Sequence, residues 1–194
     1  MTDELAAERI EPLLRGRLGR PYVYVRECES TQRLLADDAP EGALAITELQ
    51  TAGRGRLGRT WTAPSGTSLL FSVVLRPRVA GERLPELSLV AGRAVAEAIG
   101  AATGLAATVK FPNDVLLNGR KTCGILAEAS DGRVVLGVGV NVNQTAAELP
   151  PETVTPATSL RLELGGPVPR AELLAELLTS LERHYEEWLS ASAA

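Results

Sequence analysis

Arginine and glycine alternate through Thr51-Ala52-Gly53-Arg54-Gly55-Arg56-Leu57-Gly58-Arg59-Thr60-Trp61, a segment that ends on one of the chain's 2 tryptophans. Each guanidinium of Arg54, Arg56 and Arg59 offers a planar fork of donors to a carboxylate or phosphate, and the glycines let the backbone present its own N–H groups beside them. Such a loop is built to hold anions. Lysine usage points the same way, because among 20 basic residues only Lys110 and Lys121 are lysine. Lysine is a compact point charge that can meet a single phosphate oxygen, where arginine demands a planar partner. Asn113 and Asp114 lie between the two lysines and add an amide and a carboxylate to the same stretch.

Other reactive residue types offer less. Ser30-Thr31-Gln32 supplies two hydroxyls and an amide, but a hydroxyl at the start of a turn into a helix is also what an N-cap needs, and the bare pattern favours capping. Cys28 and Cys123 form no CxxC pair and come with a single histidine, so neither a disulfide framework nor a zinc site is indicated, and both read as small core or site-lining residues. That histidine, His184, falls in a Glu- and Arg-rich helical stretch and reads as solvated rather than catalytic. The arginine segment admits two further readings, a disordered nucleic-acid-binding tail or a plain solvated loop. It is short, internal and flanked by apolar runs at 43–46 and 69–75, which makes it a connection between two strands. No helical pattern follows Trp61, so the phosphate-loop and dinucleotide fingerprints are absent. A net charge of −4 and 4% aromatic content argue against a nucleic-acid surface.

These residues need a scaffold, and the chain supplies patterns for one. At 194 residues, 45% hydrophobic and 23% charged, it is long enough for one main core. Its apolar runs fall short of the ~20 residues that span a bilayer, and it opens Thr2-Asp3-Glu4 without a basic or greasy leader, so a cytoplasmic location and no membrane partner are expected. Apolar spacing predicts helices over 3–17, from Ser30 to Leu35, over 86–102 and over 170–189, the third closed by Gly100 and Gly104. Strands are predicted at 22–25, 43–46, 69–75, 107–111, 115–117, 123–129 and 134–142, with a hairpin signal at Asn118-Gly119. The meander brings Lys110, Asn113, Asp114 and Lys121 within reach of one another. The architecture implied is α+β, a mixed, mostly antiparallel sheet with helices packed on one side.

With these residues in view, the chain resembles the catalytic domain of biotin protein ligases, also called biotin–acetyl-CoA-carboxylase ligases. The likeness rests on Glu29-Ser30-Thr31-Gln32, on Gln50 through Trp61, on Lys110-Phe111-Pro112-Asn113-Asp114, on Arg120-Lys121-Thr122-Cys123-Gly124-Ile125-Leu126, and on Gly137-Val138-Gly139-Val140-Asn141-Val142-Asn143, in that order. It implies the class II synthetase-like fold of biotin/lipoate ligases and a single catalytic domain over 1–194. It further implies a cytoplasmic enzyme that makes biotinyl-5′-AMP from biotin and ATP with Mg2+ and passes biotin to a lysine of a biotin carboxyl carrier domain. The family admits a homodimer, and nucleic acid is not an expected partner. Neither the N-terminal winged helix nor the small C-terminal β-barrel of some members is recognisable, so repressor activity is expected to be absent and transfer to the carrier slow. Lipoate or octanoyl transfer runs on the same general fold, but there the arginine–glycine motif differs and has an adjacent histidine.

The resemblance also assigns residues. Ser30, Thr31, Gln32 and Gln50 match the segment that holds the biotin head group, with Gln32 standing where the family usually has asparagine. Arg54, Gly55 and Arg56 match the loop that closes over biotin and its adenylate, with Arg59 and Trp61 on its nucleotide-facing arm. Lys121 matches the lysine placed on the biotin carboxylate and the α-phosphate, next to Lys110. Asp114 looks like the acidic residue that assists metal binding or the acceptor lysine, and Asn113 and Asn141 look like nucleotide-contacting amides.

Overall fold

The computed structural model describes residues 3–151 and 155–191. Seven strands form one sheet: β1 (Tyr22–Cys28), β2 (Leu44–Gln50), β3 (Ser68–Leu75), β4 (Ala107–Lys110), β5 (Asp114–Leu117), β6 (Arg120–Ser130) and β7 (Arg133–Asn141), in the order β1-β2-β3-β7-β6-β5-β4. Only β1 and β2 run parallel; the other neighbours are antiparallel. The predicted mixed, mostly antiparallel sheet is therefore the one formed. Two of its hairpins turn on Asn118-Gly119 and Asp131-Gly132, each pair at positive φ (49° and 75°; 49° and 74°), the turn whose twist matches that of the flanking strands.

Four α-helices accompany the sheet: α1 (Ala7–Ile10), α2 (Leu87–Thr103), α3 (Leu160–Leu164) and α4 (Arg170–Ser190). The sheet's two faces differ because strand side chains alternate. In β7, Val134, Leu136, Val138 and Val140 join the main core under α2 and α4. Val135 points the other way, into a small cluster with Leu35, Ala43, Ala45 and Val74. Beyond that cluster the same face carries Gly137 and Gly139, and it is left open there for the loops of the site. Truncating a buried Leu or Ile of the main core to Ala costs typically 2–5 kcal/mol, so this two-layer packing sets the rigidity beneath the site.

Three predicted elements differ. The helix over 3–17 is the single turn of α1 followed by a 3-10 turn, Glu11–Leu13, because Pro12 has no N–H to continue an α-helix. The segment after Ser30 is a 3-10 turn, Thr31–Arg33, and the Ser30 side chain caps nothing. α2 runs through Gly100 and stops at Gly104 (φ +75°), whose N–H returns to the Gly100 carbonyl. α3, capped by Ser159 on Leu162 N–H, is too short to leave a periodic trace in the sequence.

Candidate active site

On the face away from the helices, register decides which side chains meet. Gly124 pairs with Gly139, Leu126 with Gly137, and Ser72 with Gly137 from the other side. Gly124, Gly137 and Gly139 leave gaps in the side-chain cover of this face of β6 and β7, the floor of the site, beside Leu126 and Leu70. The gaps are used at once: a Cβ on Gly139 would lie 2.7 Å from Trp61 Cε2, one on Gly124 2.7 Å from Trp61 Cζ3, and one on Gly137 2.7 Å from Gln32 Nε2. The glycines are therefore required by close approach of the indole and the amide to the backbone.

Lys121 joins this face through a β-bulge. β5 pairs Val115 with Cys123 and Leu116 with Lys121, so Thr122 is the extra residue and Lys121 shares a face with Gly124 instead of with the core residues Cys123 and Ile125. The Lys121 ammonium lies 2.7 Å from Asp114 Oδ1, an ionic contact without the alignment of a hydrogen bond, and 5.5 Å from the centre of the Trp61 ring. A cation held between a carboxylate and an aromatic face is fixed in place before any ligand arrives. Its backbone is fixed too: Lys121 N–H donates to the Pro156 carbonyl at 2.7 Å, and Thr158 N–H donates to the Lys121 carbonyl at 2.9 Å.

The enclosed end of the floor is polar. Gln50 Oε1 accepts from Thr31 N–H (2.8 Å) and from Thr31 Oγ1 (3.2 Å), and Thr31 Oγ1 lies 2.8 Å from Ser72 Oγ. Gln32 Nε2 donates to the Leu126 carbonyl at 3.1 Å. Ser30 Oγ, Gln32 Oε1 and, over Gly139, Trp61 Nε1 are buried without a hydrogen-bond partner among the described residues. A buried polar atom without a partner costs about 1–3 kcal/mol, a cost that a polar ligand reaching these atoms would relieve.

The arginine loop covers the floor. Gly53 and Trp61 bridge through Trp61 N–H to the Gly53 carbonyl (2.9 Å), and Gly55 N–H bonds the Arg59 carbonyl (2.7 Å). Arg54 does not point freely: its Nη1 and Nη2 grip Glu128 on β6 at 2.8 and 2.7 Å. Arg56 and Arg59 are exposed and have no ion-pair partner among the described residues. They are the loop's available cations.

The remaining predicted residues divide. Lys110 is exposed at the outer rim and donates to Thr155 Oγ1 at 2.8 Å. Asn113 binds β6 twice, through its side-chain Nδ2 to the Ile125 carbonyl (2.8 Å) and through its carbonyl from Ile125 N–H (2.9 Å). Asn141 is buried, with Nδ2 on the Thr158 carbonyl (3.0 Å) and Oδ1 taken by Gln144 (3.0 Å). Both amides thus hold the frame of the site. A cleft of about 440 Å3 opens beside Lys121, lined among others by Arg120, Leu149, Pro150, Pro156, Ala157 and Leu162. The residues that sequence reasoning left out of the site are Ser72, Glu128 and the glycines 124, 137 and 139. Alternate glycines inside an otherwise β-branched strand are a legible sign of close approach; Ser72 and Glu128 gave none.

Comparison with known proteins places this geometry. Residues 24–144 match the Biotin/lipoate A/B protein ligase family. The chain is 38% identical over 182 residues to a bifunctional ligase/repressor BirA of Bacillus spizizenii, covering 89% of this chain and 56% of that protein. It is 42% identical over 161 residues to a biotin–[acetyl-CoA-carboxylase] ligase of Mycobacterium tuberculosis, covering 78% and 57%. The chain spans about half the length of these curated relatives. Among solved structures, the biotin protein ligase of Aquifex aeolicus in complex with biotin and ATP superposes with a TM-score of 0.80 at 35% identity, over 88% of this chain and 72% of that one. With a family match over more than half its length and the same fold beneath it, this chain belongs to the biotin/lipoate A/B protein ligase family.

Proposed function

We propose that the chain is a biotin protein ligase. It joins the carboxylate of biotin to the α-phosphorus of ATP, breaking the bond to pyrophosphate, and then passes the biotinyl group to a lysine amine of a biotin carboxyl carrier domain, with AMP as the leaving group. The observation that carries this reading is the set of buried atoms without a hydrogen-bond partner among the described residues, Ser30 Oγ, Gln32 Oε1 and Trp61 Nε1, where Gly124, Gly137 and Gly139 let the indole and the amide lie against the strands beside Lys121. A ureido ring presents N–H donors and a carbonyl acceptor on a flat frame, which suits hydroxyl, amide and indole partners. The names of the relatives, a biotin–[acetyl-CoA-carboxylase] ligase and a biotin protein ligase holding biotin and ATP, support the same substrates.

Each residue then has a task. Ser30, Thr31, Gln32 and Gln50 hold the head group, and Trp61 closes over the acyl chain. Lys121 sits between the attacking carboxylate and the α-phosphate, where a fixed cation lowers the barrier by stabilising charge that develops as two anions meet. Asp114 keeps that ammonium aimed. Arg56 and Arg59 meet the phosphates, with Lys110 at the rim; Asn113 braces β6, and Asn141 braces Thr158 and Gln144. Among the described residues no group of three or more His, Cys, Asp or Glu side chains converges. Magnesium binds through one or two carboxylates plus substrate phosphates; Asp114 would hold it with the triphosphate, where it would neutralise phosphate charge. Among the described residues no helix is long and apolar enough to cross a membrane.

Isothermal titration with biotin, followed by ATP and magnesium, tests the reading. Heat from biotin and none from lipoate is expected, then biotin-dependent release of pyrophosphate. Heat from lipoate alone would move the chain to the other branch of its family, and heat from neither would sink the proposal.

A further inference from the structure

Residues 54–60 are tied to the rest of the protein by a single polar contact among the described residues, the fork from Arg54 to Glu128. Their other hydrogen bonds and bridges, Gly55 N–H to the Arg59 carbonyl and the pairing of Arg54 with Thr60, stay inside the loop. Glu128 lies on β6 four residues beyond Gly124, on the same face, and Gly124 is where Trp61 at the end of the loop rests. The fork therefore draws the loop down onto the floor that its own tryptophan covers.

We infer that Glu128 is a positioning residue for the arginine loop, holding Arg54 so that the loop stays closed and activated biotin is retained until a carrier lysine arrives. Charge supports the assignment. Arg54, Arg56 and Arg59 repel one another, and a carboxylate that neutralises Arg54 lowers that repulsion while leaving the other two free for phosphate. Glu128 itself is anionic and is no ligand for an adenylate; it acts through Arg54. Both side chains are about half-exposed, 46% and 37%, so the contact is strong enough to bias the loop and weak enough to let it open, an exposed pair being worth a fewfold change in equilibrium.

The part of this inference that concerns retention rests on the ligase reading; the holding of the loop does not. Limited trypsin cleavage after Arg56 and Arg59, without ligands, therefore comes first. Glu128→Gln should be cleaved there about two- to fivefold faster than the parent, with cleavage elsewhere unchanged, and the charge-swapped pair Arg54→Glu/Glu128→Arg should return towards the parent rate. The second readout is the ratio of stray biotinylation of a non-carrier protein to biotin-dependent pyrophosphate release, expected to rise by a similar factor in Glu128→Gln. Equal loop cleavage in parent and Glu128→Gln, or a swapped pair no better than the single variant, overturns the inference. If the parent chain releases no pyrophosphate with biotin, the ligase reading falls and the cleavage rates alone decide for or against Glu128.

Discussion

Lys121 carries the fixed positive charge nearest the floor, so its removal should separate chemistry from folding. Lys121→Ala is expected to lower biotin-dependent pyrophosphate exchange about 10²-fold or more while leaving the circular dichroism spectrum and melting cooperativity unchanged, because its side chain belongs to no apolar cluster. Lys110→Ala should cost far less, since Lys110 is exposed and its ammonium bonds the Thr155 hydroxyl at the rim; the reverse ranking would exchange the roles of the two lysines. Gly124→Ala tests the floor. The added methyl meets Trp61 Cζ3 at 2.7 Å and Lys121 Nζ at 3.3 Å, so the indole must lift. Overpacking of this kind costs about 1–3 kcal/mol, and the cost falls on the ligand-free fold as well as on the site, because the indole lies against Gly124 without any ligand. Titration calorimetry should show weaker biotin binding together with a lower thermal midpoint; a lower midpoint with unchanged binding would make Gly124 a packing residue only. At this scale the sequence was informative about residue type. Two lysines among 20 basic residues, hydroxyls and amides near an arginine loop, and alternate glycines were all visible. Partnership was not: Arg54 looked like a free anion-binding cation until Glu128, 74 positions away, was found against it.

The strands and hairpins were legible because period-2 patterns and Asn-Gly or Asp-Gly turns are local signals, but the bulge at Thr122 was not. Straight alternation would send Lys121 towards the core with Cys123; pairing with β5 turns it to the site. Residues 156–158 hold that arrangement from outside, and Glu163 on α3 clamps it. Glu163 accepts from Asn118 Nδ2 at 2.7 Å and Arg120 Nη2 at 2.6 Å on the β5–β6 hairpin, and from Thr158 Oγ1 on the segment that bridges Lys121. Burial alone would raise its pKa, but the hydrogen bonds from Thr158 and Asn118 and the charge of Arg120 outweigh it, and the carboxyl titrates below its ordinary 4.5. A depressed carboxylate stabilises the fold fully above that ordinary value and loses its contribution as pH falls through the lower folded value. Glu163→Gln should therefore destabilise the chain by about 1–3 kcal/mol at neutral pH, and the gap between parent and variant should close below pH 4.5. The same variant should raise KM for ATP more than it lowers kcat, because the cleft wall loosens while Lys121 and Asp114 remain. A stability gap that stayed constant from pH 6 to about pH 3 would mean that the Glu163 charge plays no part in the clamp.

Across the whole molecule, the helix layer and the site layer are joined by one buried cation. Arg170 at the start of α4 is 2% exposed; its Nε meets Asp3 Oδ2 at 2.8 Å, and its Nη1 meets Glu48 Oε2 at 2.6 Å and the Ser68 carbonyl at 3.0 Å. Glu48 uses its other oxygen for Leu5 N–H at 2.9 Å, so the N-terminal segment, β2, β3 and α4 share one charge network. Amphipathic periodicity located α4 but could say nothing of this, because an arginine at a helix start looks solvated in sequence and becomes buried only when segments 122 and 167 positions away close on it. Glu48 stands two residues before Gln50, which holds Thr31 in the enclosed end of the site. The consequence is a coupling of stability to binding. Arg170→Met would strand Glu48 as a buried carboxylate without its counter-charge, a change that costs about 3–5 kcal/mol and, in a chain of this length, lowers the thermal midpoint by about 6–20 °C. Adding Glu48→Gln removes the stranded charge and keeps an acceptor for Leu5 N–H, so the double variant should melt higher than Arg170→Met alone, and the cycle should give a coupling energy of about 0.5–3 kcal/mol. Biotin affinity should follow the same order, weakest in the single variant, since the strain passes along β2 to Gln50. Melting curves and biotin titrations on the four members of the cycle decide it. If the two single changes simply add in stability, the network is a set of independent contacts; if stability couples while affinity does not, the path from Glu48 to Gln50 is broken and the site is insulated from the helix layer.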